Sequence, residues 1–252
     1  MYRILPERLK QGMRTTGFPD RPVVFQGRFR GRPVLDPTRC ADGCRACAEV
    51  CPTQAFDFAT GTARLDLGKC LFCPACVAAC PTGAVRVTGE PALATRTRED
   101  LLLDQNGLKL AQALDADMRR LFGRSLKLRQ VCAGGCNGCE GELNATGKVV
   151  FDLSRFGIQF VASPRHADGI VITGPVTDNM RHALLATWQA VPPPRLVIAV
   201  GACAISGGPF AGLGQGNDGV QQLLPVDLFI PGCPPHPITV LDGLLRLLGR
   251  LG

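Results

Sequence analysis

Twelve of the thirteen cysteines in this chain of 252 residues fall into three sets of four. The first is Cys40, Cys44, Cys47 and Cys51; the second is Cys70, Cys73, Cys76 and Cys80; the third is Cys136 and Cys139 with the distant Cys203 and Cys233. Pro52 and Pro81 directly follow the last cysteine of the first two sets, and only Cys132 stands outside the three. A disulfide framework suits short secreted chains. This one begins MYRILPERLK, charged from the outset, with no apolar run or cleavage-site pattern, so its thiols are expected to be reduced. Paired zinc knuckles commonly recruit histidine. None of His166, His182 and His236 lies near the eight clustered cysteines. Iron is the better occupant.

The spacing says which form of iron. A cubane cluster needs four thiolates, and a C-x2-C-x2-C loop supplies three of them. In two-cluster bacterial ferredoxins the final Cys-Pro of each run ligates the other cluster. Cys70, Cys73, Cys76 and Cys80-Pro81 match that run. The first run has three residues between Cys40 and Cys44, an excess that Gly43 can absorb. The expected sets are therefore Cys40, Cys44, Cys47 and Cys80 for one [4Fe-4S] cluster, and Cys70, Cys73, Cys76 and Cys51 for the other. Were Cys40 to swing away, the first site would hold a labile or three-iron cluster. AFDF after one run and AVRV after the other make residues 34–90 an internal repeat. A compact two-fold ferredoxin-like module is expected, with a helix starting at each Cys-Pro and the clusters contributing much of its folding energy.

Residues 91–124 are read as a connecting helix. Leu103, Leu110, Ala111, Leu114, Met118, Leu121 and Phe122 recur at helical spacing between Arg98 and Arg124, with Gly107 a break or a kink and Gly123 a C-terminal cap. From 125 to 252 the runs LKLRQV, IQFVA, GIVITG, RLVIAVG and VDLFIPG alternate with helical stretches such as 179–189. That alternation predicts a parallel α/β sheet of flavodoxin-like type. Pro237 suits the first turn of a last helix with the apolar stripe Ile238, Leu241, Leu244, Leu245 and Leu248. Cys136 and Cys139, Cys203 and Cys233 each lie just past a strand end. Loops there converge on one crevice, so a third [4Fe-4S] cluster is expected, with zinc or buried free thiols as the competing readings.

The 46% hydrophobic content allows a real core. The longest uncharged stretch, 196–216, holds six glycines, Pro209 and Cys203, and reads as strand plus loop rather than a membrane span. Residues 1–33 form a basic arm: positions 1–32 carry eight Lys or Arg against two acidic residues, which is +6 of the chain's net +7. Nucleic acid, anionic lipid or an acidic neighbouring subunit could take it; subunit docking is the favoured role and a solvated tail the plainer one, because no aromatic-basic interleaving suits base stacking. GLGQG at 212–216 lacks both the dinucleotide fingerprint and a Walker lysine, so no nucleotide site is expected. Glu140 is a candidate proton relay, against a solvated or subunit-paired glutamate. Cys132 is read as a buried structural thiol, and Trp188 as core.

GCNGCE at 135–140, SPRHADGIVITGPVT at 163–177, IAVGACA at 198–204 and IPGCPP at 230–235 resemble the small electron-transfer subunit of membrane-bound, energy-converting nickel-iron hydrogenases, formate hydrogenlyase type included. The same half is similar to the 20-kDa-type subunit of NADH:quinone oxidoreductase, and the first half resembles the two-cluster ferredoxin subunit of both complexes. The quinone-reducing relatives have two adjacent cysteines where this chain has Cys136-Asn137-Gly138-Cys139, which favours the hydrogenase branch. The resemblance implies a fusion of two subunits that passes electrons through three [4Fe-4S] clusters to or from a large catalytic subunit, nickel-iron or quinone-reactive. It also implies a place on the cytoplasmic face of the inner membrane, held there by membrane subunits. No self-contained active site is expected. A free-standing ferredoxin-like carrier, stable and monodisperse alone, and a metal-stabilised scaffold are the readings of other classes.

Overall fold

The computed structural model describes residues 4–25, 27–58 and 62–251. Its first half is short elements threaded between cysteines: α1 (Ile4–Gln11), β1 (Pro33–Leu35), α2 (Ala46–Glu49), β2 (Phe56–Asp57), β3 (Arg64–Asp66), α3 (Ala75–Ala79) and β4 (Val85–Val87). AFDF and AVRV supply β2 and β4, as the repeat predicts. β1 pairs antiparallel with β4, and β2 with β3. The helices, however, do not start at the Cys-Pro pairs. Each lies before one, because proline cannot donate to a preceding turn and ends the helix instead.

The long connecting helix is absent. Residues 99–101 form a 3₁₀ turn, β5 (Leu102–Leu103) pairs with β3, and only α4 (Ala116–Phe122) is helical. Backbone pairing overrides the helical period here: Ala111 N–H donates to Ala94 O and Leu114 N–H to Leu247 O, bonds that an intact helix would forfeit. Gly107, at φ +87°, turns the chain between them. α4 is capped by Asp115, whose carboxylate accepts from Met118 N–H, and ends at Gly123.

All five predicted strands of the second half form: β6 (Leu126–Cys132), β7 (Ile158–Phe160), β8 (Gly169–Thr173), β9 (Leu196–Val200) and β10 (Leu228–Ile230). They alternate with α5 (Gly138–Thr146), α6 (Asp178–Ala190), α7 (Ala202–Ser206) and α8 (Pro237–Leu247). The sheet is parallel throughout, in the order β10-β9-β8-β6-β7. From β6 the chain steps out to β7, returns past β6 to β8 and continues the other way, which is the flavodoxin-like order with its switch point between β6 and β8. β8 and β9 are buried at every position because both faces are covered.

What covers them ties the halves together. On one face Ile170, Ile172, Val197 and Ala199 pack with Leu65, Leu67, Leu101 and Leu103 from the first half and Leu184 of α6. On the other, Val171, Ile198 and Val200 pack with Ile238, Leu241, Leu244 and Leu245 of α8. α8 is buried well beyond its predicted stripe: Thr239 and Asp242 are buried too, Asp242 with Arg246 at 2.9 Å. At the seam Arg98 grips Asp66 with two bonds, 2.8 and 2.6 Å, and Asp66 also accepts from Gly68 N–H at 2.9 Å. Ser206 of α7 donates to Gly68 O at 2.9 Å.

Part of the basic arm lies on its own chain. Thr16 N–H donates to Val150 O, Arg155 to Thr16 O, and Arg30 to Phe72 O. Phe25 stacks on Phe29, and both meet the His236 ring edge-on. α1 has no buried residue. Among the described residues no helix is long and apolar enough to cross a membrane.

Candidate metal centres

In the first half the two cysteine loops turn alike. Gly43 (φ +71°) precedes Cys44 and Phe72 (φ +53°) precedes Cys73, so each loop goes left-handed one residue before its second cysteine. The extra residue of the first run is taken up in a turn in which Cys44 N–H donates to Ala41 O. Cys47 sits in α2 and Cys76 in α3; Cys51 and Cys80 follow the helix ends.

Charge coupling shows which thiols are neighbours. Cys40 is raised by burial first, then by Cys80 and Cys44. Cys70 is pushed up to about 12 by burial, with further contributions from Cys76, Cys51 and Cys73. The last cysteine of each run thus stands with the other run. Cys47, pushed up to about 11 chiefly by burial, feels both Cys40 and Cys76, which puts the two sets side by side.

The third set gathers past the carboxyl ends of the sheet. Cys136 and Cys139 follow β6 through Gly134 (φ +92°) and Asn137 (φ +68°), the left-handed residue from which α5 starts. Cys203 lies in the first turn of α7, after Gly201 (φ +89°), and Cys233 follows β10. A Cβ on Gly201 would stand 2.5 Å from Cys139 Sγ, and one on Gly208 3.0 Å from Cys203 Sγ, so glycine is what lets these thiols close in. Cys139 is pushed up to about 12 and Cys203 to about 11, in both cases by burial first, and between them they feel Cys136, Cys233 and Glu140. Cys233, raised mainly by burial, feels Cys136 and also Cys73, so the third set adjoins the second.

Four thiols in each set, several of them dry enough to resist ionisation alone, suit a polynuclear cation that binds thiolates and releases their protons. Among the described residues no three His, Cys, Asp or Glu side chains converge tightly enough for a single metal ion. The histidines stand apart: His236 caps α8 through Nδ1, accepting from Ile238 N–H at 3.1 Å. Trp188 is half-buried under Arg195, 4.0 Å from its ring centre. Two expectations need correction. Cys132 is exposed, because it is the outward residue at the end of β6. Glu140 is buried. Burial pushes its carboxyl up, but the Cys132 thiol and Thr173 Oγ1 donate to it and prevail, holding it below the ordinary range. Its place in the first turn of α5, facing the sheet end, is not readable from sequence.

Cysteine sets in a ferredoxin-like module and at the mouth of a parallel sheet define an iron-sulfur protein. Residues 136–247 match the NADH ubiquinone oxidoreductase, 20 Kd subunit family, and residues 39–84 the 4Fe-4S dicluster domain. The chain is 43% identical over 155 residues to formate hydrogenlyase subunit 7 of Escherichia coli, an alignment covering 59% of this chain and only 61% of that protein. It is 39% identical to the "Probable membrane-bound hydrogenase subunit mbhJ" of Pyrococcus furiosus, over 54% of this chain and 81% of that one. To an NADH-quinone oxidoreductase subunit of Desulfovibrio desulfuricans it is 39% identical over 66% and 87% respectively. The chain belongs to the 20-kDa subunit family shared by these hydrogenases and quinone oxidoreductases, with a 4Fe-4S dicluster domain ahead of it.

Proposed function

We propose that the chain is the electron-transfer subunit of a membrane-associated, energy-converting nickel-iron hydrogenase complex of formate hydrogenlyase type. Three [4Fe-4S] clusters would be held by Cys40, Cys44, Cys47 and Cys80, by Cys51, Cys70, Cys73 and Cys76, and by Cys136, Cys139, Cys203 and Cys233. Such clusters supply reversible one-electron chemistry when bound. The chain's own part is to place them in a row. What supports the reading is that the sets adjoin: Cys47, Cys76 and Cys80 share one small apolar cluster, and Ser206, three residues after Cys203, donates to Gly68 O, two residues before Cys70.

The path ends at the third set, where Cys136 and Cys233 are exposed, on a chain that also exposes Phe210 and Leu213 after α7. A large catalytic subunit seated there would cover the site, which favours assembly over a free carrier. The Cys136-x2-Cys139 spacing favours the nickel-bearing branch. Membrane subunits would then hold the chain at the cytoplasmic face. Glu140, ionised beside the third set, is the candidate proton relay; Glu140→Gln that leaves turnover of the assembled complex unchanged removes it from that role. The complex, purified anaerobically through a tag on this chain, is expected to contain stoichiometric nickel and to reduce dye with hydrogen. An iron-rich complex with neither property overturns the hydrogenase assignment in favour of a quinone-linked relative.

A further inference from the structure

The two Cys-Pro turns repeat each other as CPTQA and CPTGA, with Thr53 and Thr82 each two residues after a cysteine. Both hydroxyls lie 3.8 Å from that cysteine's sulfur. A cluster-bound sulfur has no proton, so only the hydroxyl can donate across this contact, and a hydroxyl has one proton to give. Thr53 has already placed its proton: its hydroxyl donates to Lys69 O at 2.8 Å, and a carbonyl can only accept. Cys51 is left with the Ala55 N–H at 3.3 Å. Thr82 has no such competing acceptor among the described residues.

We propose that Thr82 is a potential-setting residue: its hydroxyl donates to Cys80 and raises the reduction potential of the centre that Cys80 shares with Cys40, Cys44 and Cys47, an effect its sequence twin Thr53 cannot exert on Cys51. A donor to a cluster sulfur favours the more negative, reduced state. The repeat therefore encodes two unlike centres, and the difference comes from which carbonyl lies within reach of a threonine rather than from the motif. The inference rests on the cluster assignment above.

The test is an EPR-monitored redox titration of the anaerobically purified complex carrying Thr82→Val, Thr82→Ser or Thr53→Val, with Cys44→Ser marking which signal belongs to the Cys80 centre. Thr82→Val is expected to lower the potential of that centre alone, by up to about tenfold in its reduced-to-oxidised ratio, about 59 mV for one electron. Thr82→Ser should restore it, and Thr53→Val should leave both potentials in place. An unmoved potential in Thr82→Val, or an equal shift in Thr53→Val, overturns the proposal. Should the unmutated complex lack the iron for these centres, the cluster assignment itself fails, which the iron analysis reports separately.

Discussion

Gly201→Ala should empty the third site while leaving the first two filled. Gly201 lies between β9 and α7 at φ +89°, where an alanine costs on the order of 1–3 kcal/mol. That strain alone is tolerable within the roughly 5–15 kcal/mol that stabilises a typical domain. The larger effect is steric. The new Cβ would sit 2.5 Å from Cys139 Sγ, and ordinary contact begins at 3.4 Å, so the sulfur must retreat by roughly 0.9 Å or the Gly201 backbone must shift as far. Metal-ligand distances tolerate about ±0.2 Å. Neither escape is open: α5, which carries Cys139, is held by Leu143 in the core, and Gly201 N–H is bonded to Ile230 O at 2.9 Å.

The assay is iron and acid-labile sulfide per chain in anaerobically purified protein, with EPR of the reduced sample. The expected result is the loss of about one third of the iron and of one signal, the folded α/β half persisting by circular dichroism. Full iron content with an unchanged spectrum would refute the argument, since it would show that the thiol of Cys139 does not have to occupy its present position.

Other perturbations probe the scaffold. Arg98→Met removes one partner of a pair only 18% and 11% exposed and leaves Asp66 charged at the seam. A loss of about 3 kcal/mol is expected, read as a fall of roughly 6–12 °C in thermal midpoint, with a large part restored in the Arg98→Met, Asp66→Asn double variant. Gln54 occupies a left-handed turn (φ +50°) whose repeat counterpart is Gly83, so Gln54→Gly should stabilise by about 0.5–1 kcal/mol in denaturant titrations of the holoprotein. Burial raises Cys47, Cys70, Cys139 and Cys203 to about 11–12 in the cluster-free chain, so each holds a proton at neutral pH and must release it on ligation. Cluster loss should accordingly accelerate as pH falls from about 8 to about 6, and reconstitution in weakly buffered solution should acidify it; a pH-independent loss would contradict this.

β8, β9 and β10 are legible in the sequence because each is a short apolar run stopped within two residues by glycine and buried on both faces, whereas β6 shows itself by partial alternation, with Leu126, Leu128 and Val131 turned inward. The connecting segment is not legible, although its leucines recur at helical spacing. Leu103, Ala111 and Leu114 are buried for three different reasons, against β3, the backbone at Ala94 and the end of α8, and a sequence pattern cannot tell three separate anchors from one helical face. Cys132 and Glu140 exchange their expected exposures for a related reason. Which end-of-strand residue turns outward depends on where β6 leaves the sheet, and the acid's partners, Thr173 and Cys132, come from β8 and β6.

The seam between the halves has a consequence for electron transfer that neither half would have alone. Asp66 fixes the second cysteine loop through Gly68 N–H and through its own carbonyl, which accepts from Cys70 N–H at 3.1 Å. Gly68 O in turn accepts from Ser206, three residues after Cys203. The second and third sets are thus joined through the short segment 66–70 and one hydroxyl, backed by a hydrophobic core continuous from Leu67 to Ile205. In a pair of separate subunits that distance would depend on an interface free to shift; here it is fixed by folding. Fusion of the two modules therefore converts the spacing between the sites from a property of assembly into a property of one chain's core.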